Sequence, residues 1–187
     1  MEKKIKSCVF ISGNGSNLYY IIKNSRNYNF PINIQLIISN NNKAKGISIA
    51  KKYDIPVAHI PYRNQNYFET ASLNELKKNK IKFLCLAGFM KVLSDKFIRS
   101  FNSKIINIHP SLLPKYKGLN TYKRVLKNND IYSGCTVHYV SKKLDSGKII
   151  LRKKFLIDKN ETEESLKVKT LKNEHLLYSQ SIISIFK

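Results

Sequence analysis

Apolar and polar positions along this chain switch between two periods. Continuous apolar runs at Ile5–Ser12, Ile32–Ile38, Val57–Ile60, Phe83–Ala87 and Lys104–Ile108 read as strands buried on both faces. Between them, Ser16–Ser25, Lys43–Tyr53, Phe68–Lys78 and Asp95–Phe101 repeat apolar residues at helical spacing, with Leu18, Ile21 and Ile22 on one face of the first. Strand and helix in alternation predict an α/β fold: a doubly wound, Rossmann-like, mostly parallel sheet. The rhythm then changes. Gly134–Ser141 and Lys148–Ile157 are β-rich runs joined by Lys142-Lys143-Leu144-Asp145-Ser146-Gly147, which predicts an antiparallel addition to the sheet. Glu163–Phe186 reads as a long C-terminal helix, capped by Asn160 or Thr162, with acids in its first turn to suit the dipole. Segment 110–132 reads as a mobile lid. No repeat, linker or low-complexity insert divides the chain, so 1–187 reads as one domain.

Composition narrows the class. A chain of 187 residues with 42% hydrophobic side chains can bury a core without disulfides or metals. No apolar run approaches the ~18–20 residues of a membrane span, and the start MEKKIKSCVF lacks the uninterrupted apolar stretch of a secretory signal. Cys8, Cys85 and Cys135, three thiols with no CxxC, read as ordinary buried cysteines in a reducing compartment, which predicts a cytoplasmic protein. The formal charge of +22 invites a nucleic-acid partner. However, 29 of the 34 basic residues are Lys, alongside 24 Ile and 20 Asn, a bias expected of AT-rich codons. The lysines are spread over every predicted element rather than drawn into an Arg-bearing stripe. No nucleic acid is expected, although small anions are attracted by such a field.

Three segments can carry chemistry. Ser12-Gly13-Asn14-Gly15-Ser16-Asn17 joins the first strand to the first helix, where free N–H groups and the helix dipole suit a phosphate. It lacks the third glycine of a dinucleotide fingerprint and the Gly-Lys-Ser/Thr ending of a Walker loop, and a plain βα turn capped by Ser and Asn stands beside the phosphate reading. Asn107 and His109, two apart at a strand end before Pro110, share one face. The imidazole can shuttle a proton and the amide can bind an oxyanion, whereas a lone His is more often simply satisfied by loop carbonyls. Asp145, in a turn with Ser146 and Gly147, joins them only if the chain folds it back across the 36 residues that separate 109 from 145. His138 reads as a packing or supporting residue, and His59 as a strand-end one. His109, His138 and Asp145 lack HxH, HExxH or CxxC spacing, so no metal is expected.

The stretches VFISGNGSNL (9–18), LAGFMKVLS (86–94), INIHPSLLPKYKGLNTY (106–122) and GCTVHYVSKKLDSGKIIL (134–151) together resemble the folate-dependent phosphoribosylglycinamide formyltransferases, NIHPSLLPKYKG being the most specific. The resemblance implies formyl transfer from 10-formyltetrahydrofolate to the amine of glycinamide ribonucleotide in purine biosynthesis. It implies a phosphate on Gly15, Ser16 and Asn17, a glycinamide contact from Glu174, and catalysis by Asn107, His109 and Asp145. Folate would be held by Met90, Lys91, Val92 and Leu93 and by Ser141, Lys142, Lys143, Leu144 and Asp145. The nucleotide-phosphate site would occupy the N-terminal half, the folate and catalytic sites the C-terminal half, in a monomer or homodimer. The chain departs from the family pattern at Gln65, near a folate-side Arg; at Leu171, in place of a Gln; at Asn120 and Tyr122, in place of His; and at Lys91, in place of Arg, which keeps charge but not a bidentate fork. A C-terminal extension usual in the family is not matched. Methionyl-tRNA formyltransferase and formyltetrahydrofolate deformylase share the chemistry but normally carry additional domains. A basic α/β module binding nucleic acid is the non-enzyme alternative.

Overall fold

In the computed structural model, which describes residues 4–187, seven strands form one sheet in the order β3-β2-β1-β4-β5-β6-β7. β1 (Ile5–Ile11), β2 (Ile32–Ser39), β3 (Val57–His59), β4 (Phe83–Leu86) and β5 (Lys104–His109) pair in parallel. β6 (Tyr132–Tyr139) and β7 (Ile149–Leu156) extend the sheet antiparallel to β5, as the change of rhythm predicts. Helices α1 (Ser16–Ser25), α2 (Lys45–Lys52), α3 (Gln65–Lys78), α4 (Asp95–Phe101), α5 (Thr121–Lys127) and α6 (Glu163–Ile185) complete the single α/β domain. Among the described residues no helix is long and apolar enough to cross a membrane, and the first three residues of the basic start lie outside them.

Alternate residues of the central strands feed two core layers, as a strand period of two dictates. Val9, Ile11, Cys85, Ile106 and Val137 pack with Leu18 and Ile22 of α1 and Leu177, Tyr178 and Ile182 of α6. Cys8, Phe10, Leu84 and Ile105 face the other way, against Phe68 and Leu76 of α3 and Phe97 of α4. Burying each such side chain contributes roughly 1.5–3 kcal/mol. Tyr178 is fully buried, and its hydroxyl lies 3.0 Å from the Leu86 carbonyl and 3.3 Å from that of Ile106, pinning α6 across β4 and β5.

The differences from the sequence expectation have local causes. α3 starts three residues before Phe68 because the Asn64 side chain accepts a hydrogen bond from the Tyr67 N–H, a cap that apolar spacing does not register. Of the two candidate caps for α6, Thr162 is the one used, in a reciprocal box with Ser165. α5 lies within the stretch expected to be a lid. It buries only Thr121 and Val125 and starts from a left-handed Asn120 with no side-chain cap, so neither periodicity nor a capping signature marks it.

Candidate active site

β1, β4 and β5 are parallel neighbours, so their carboxyl ends lie side by side at one edge of the sheet, where open α/β sheets bind ligands in a crevice. At the β1 end, Gly15 caps α1 at φ +75 with no side-chain cap, so neither Ser nor Asn serves there and the first-turn N–H groups keep no side-chain acceptor. A Cβ on Gly15 would lie 2.6 Å from the Gly46 Cα, so the loop seats against α2 only with glycine in place. Ser12 links this loop to the segment after β4. Its hydroxyl donates to Asn40 Oδ1 at 2.7 Å and accepts from the Met90 N–H at 2.9 Å.

Strand register builds the second part of the site. Asn107 lies opposite His138 and His109 opposite Thr136, so all four share one face of the β5–β6 pair. Asp145 arrives from the β6–β7 connection, folded back as the chemistry requires, with Oδ2 3.3 Å from His109 Nδ1 and Oδ1 3.6 Å from His138 Nε2. The Gly118 N–H also donates to Asp145 Oδ2 at 2.9 Å. His109 Nε2 lies 2.8 Å from the Tyr116 carbonyl oxygen. Both ring nitrogens of His109 therefore face acceptor oxygens, an arrangement fully satisfied by the imidazolium form. His138 Nδ1 lies 2.9 Å from the Tyr139 carbonyl, and burial holds this imidazole below its usual range against the opposing pull of that carbonyl and of Asp145. A neutral His138 protonated at Nδ1 accepts from Asn107 Nδ2, 3.3 Å away, and so aims the carboxamide. The half-buried Asn107 remains open to the crevice, while His109 and Asp145 are buried. Among the described residues, no group of three or more His, Cys, Asp or Glu side chains is arranged to hold a metal ion.

Gly147 anchors the Asp145 turn, because a Cβ there would lie 1.7 Å from the Tyr139 carbonyl oxygen. Gly147→Ala is expected to destabilise the fold by roughly 1–3 kcal/mol, the usual range for overpacking, and to displace Asp145. A thermal melt and an activity assay measure both effects.

The segment after β4 offers Met90 and Val92, 68% and 54% exposed, and Leu144 of the 141–147 loop is 51% exposed, so apolar surface is left uncovered at both segments predicted to hold folate. Lys91 lies over the Tyr62 ring at 4.4 Å and Arg63 over Tyr67 at 4.9 Å. Lys142 and Lys143 are exposed, and the Ser141 hydroxyl is turned onto the Lys143 carbonyl. Leu93 is different: its side chain is buried in the α3–α4 core, leaving only its backbone for a ligand. Gln65, standing near the family's arginine, donates from Nε2 to the Val92 carbonyl at 3.1 Å and to Glu69 Oε1 at 3.2 Å. It braces the 90–94 segment.

Glu174 enters the crevice from α6, 4% exposed, and accepts from Asn17 Nδ2 at 2.7 Å. Burial pushes its carboxyl up to about 7, with the Asn17 bond pulling the other way. Ser16 is half-buried at the start of α1. The structure thus brings Asn107, His109 and Asp145 into one cluster and joins Asn17 to Glu174. Sequence reasoning missed the Tyr116 carbonyl and the Gly118 N–H, which carry no side-chain signature; His138, read as a packing or supporting residue, stands beside Asn107 and Asp145. Its place opposite Asn107 was implicit in the β6 alternation.

Comparison with known proteins follows the same lines. A family model described as formyl transferase matches residues 5–182. The chain is 39% identical over 176 residues to the phosphoribosylglycinamide formyltransferase of Haemophilus influenzae, spanning 92% of this chain and 83% of that one. It is also 38% identical over 183 residues to the bovine trifunctional purine biosynthetic protein adenosine-3, but this covers 96% of the chain and only 18% of that much longer protein. The crystal structure of phosphoribosylglycinamide formyltransferase from Brucella melitensis superposes with a TM-score of 0.93 at 34% identity, over 98% of this chain and 96% of that one. The match runs from the start of β1 into the last turn of α6 and takes in every strand of the sheet, so the chain belongs to the formyl transferase family.

Proposed function

We propose that this protein transfers the formyl group of 10-formyltetrahydrofolate to the amine of glycinamide ribonucleotide, the purine-biosynthetic step that gives its bacterial relatives their name. The observation that carries the reading is the cluster of Asn107, His109 and Asp145 at the end of β5. The substrate amine attacks the formyl carbon, forming a C–N bond and a tetrahedral oxyanion. His109 as imidazolium and the Asn107 amide stabilise that oxygen. The bond from carbon to the folate nitrogen then breaks, and the proton lost by the attacking amine reaches the leaving nitrogen through Asp145 and His109, directly or through water. Asp145 also faces His109 Nδ1 and orients the ring.

Gly15, Ser16 and Asn17 hold the phosphate through helix N–H groups, and Glu174 holds the glycinamide ribonucleotide. Met90, Lys91, Val92 and the Leu93 backbone, with Ser141, Lys142, Lys143, Leu144 and Asp145, hold the folate. The apolar side chains exposed there suit a flat ring system, and the lysines suit its carboxylates. Residues 1–187 act as one unit, phosphate binding in the N-terminal half and folate binding and catalysis in the C-terminal half. The protein works in the cytoplasm as a monomer or homodimer, without metal and without nucleic acid. Purified protein mixed with glycinamide ribonucleotide and 10-formyltetrahydrofolate should release tetrahydrofolate, and chelator treatment should leave the rate unchanged. Transfer to charged initiator tRNA instead, or hydrolysis of the folate with no acceptor present, would replace this reading.

A further inference from the structure

The backbone of residues 116–118 touches both members of the His109–Asp145 pair, through the Tyr116 carbonyl on His109 Nε2 at 2.8 Å and the Gly118 N–H on Asp145 Oδ2 at 2.9 Å. Tyr116 reaches this position in a left-handed conformation, φ +56, which an aromatic residue adopts only when its surroundings impose it. Its phenol supplies that imposition. The Tyr116 hydroxyl donates to Asp130 Oδ2 at 2.9 Å and accepts from Asn128 Nδ2 at 2.9 Å. The Arg124 guanidinium lies 5.3 Å from the ring centroid, and the same group donates to the Lys117 carbonyl at 2.6 Å and the Leu119 carbonyl at 3.3 Å. Side chains of α5 and of the turn after it thus hold, from behind, a stretch of backbone that contacts both groups.

We infer that Tyr116 is a positioning residue for His109. Its anchored phenol keeps the carbonyl on Nε2, which leaves Nδ1, on the side of Asp145, as the nitrogen that works on the substrate. The inference rests on the proposed role of His109, but the anchor itself can be read without turnover.

Tyr116→Phe removes only the hydroxyl and so frees the ring from Asn128 and Asp130. The expected result is a fall in kcat of about tenfold to a hundredfold, the scale of a small misplacement of reacting groups, with KM for both substrates within about twofold. The nitrogen-15 NMR signal of the His109 Nε2–H, held against exchange in the unaltered protein, should broaden or shift in the variant. Asp130→Asn keeps an acceptor for the phenol and should retain most of kcat and the unaltered signal, whereas Asp130→Leu should reproduce Tyr116→Phe. Lys115→Ala, which loses only an exposed contact to Asp130, should change neither. A Tyr116→Phe protein with unaltered kcat, a loss confined to KM, or a loss of kcat with the His109 signal unmoved would each overturn the inference. If the unaltered protein transfers no formyl group, the proposed function fails instead, and the NMR comparison still decides whether Tyr116 anchors His109.

Discussion

His109→Ala is expected to lower kcat by about 10²–10⁴-fold, the range for removing a positioned acid–base group. The imidazole is 6% exposed, with Asp145 on one nitrogen and the Tyr116 carbonyl on the other, so water entering the vacated space reproduces neither its charge nor its direction. Asn107→Ala should cost about 10²–10³-fold through loss of an oxyanion donor, with KM for either substrate little changed, because the bond strengthens as the oxyanion forms. Asp145→Asn keeps shape but removes the carboxylate that faces His109 Nδ1 and takes part in the proton relay, and it should fall in the same range. Since the three act on one intermediate, the double variant His109→Ala/Asp145→Asn should be hardly worse than His109→Ala alone. Steady-state kinetics on the three single variants and the double one measure this. Turnover by His109→Ala at the unaltered rate, or multiplicative losses in the double variant, would show that the groups do not operate together.

Much of this site is legible in the sequence because its parts follow from short-range rules. Asn107 and His109 share a face by strand period, and the Gly13–Gly15 turn leads into a helix N-terminus by βα logic. That β1 to β5 form a parallel sheet follows from apolar runs broken by amphipathic helices, and the antiparallel pair from the change of rhythm after residue 133. What is not legible depends on closure in three dimensions. Nothing within residues 110–145 states that Asp145 returns to His109; the family resemblance implied it, and the register of β6 on β5, with the Gly147 turn seated on Tyr139, delivers it. Backbone groups such as the Tyr116 carbonyl have the same chemistry in every residue, so position alone makes them functional. Leu93 shows the reverse problem: a motif residue read as a folate contact spends its side chain on the core. Gln65, which takes the place near an expected cation, is committed to Val92 and Glu69, while the nearby cations Arg63 and Lys91 lie over the Tyr67 and Tyr62 rings.

Glu174→Gln should separate stability from function. In a protein of net charge +22, none of the ion pairs among the described residues includes Glu174; its neighbours are Asn17 of α1, Tyr122 of α5, Cys135 of β6 and Tyr178 one turn along α6. Burial raises its carboxyl from an ordinary 4.5 to about 7 in the folded protein. Between those values the folded chain holds a proton that the unfolded chain has released, so stability falls as pH rises from 4.5, and the deficit is complete above 7. The span corresponds to a destabilisation on the order of 3 kcal/mol. Gln cannot ionise and keeps the polar contact with Asn17, so the variant should melt roughly 6–12 °C higher than the unaltered protein at pH 8 and at nearly the same temperature near pH 4.5. The same change removes the carboxylate proposed to hold glycinamide ribonucleotide, so KM for that substrate should rise while KM for the folate stays put. A buried acid retained without a cation is the kind of local instability that a binding site keeps because its ligand needs it. Equal melting temperatures at pH 8, or a rise of the same size at pH 4.5 and pH 8, would show that Glu174 is not held away from its charged form.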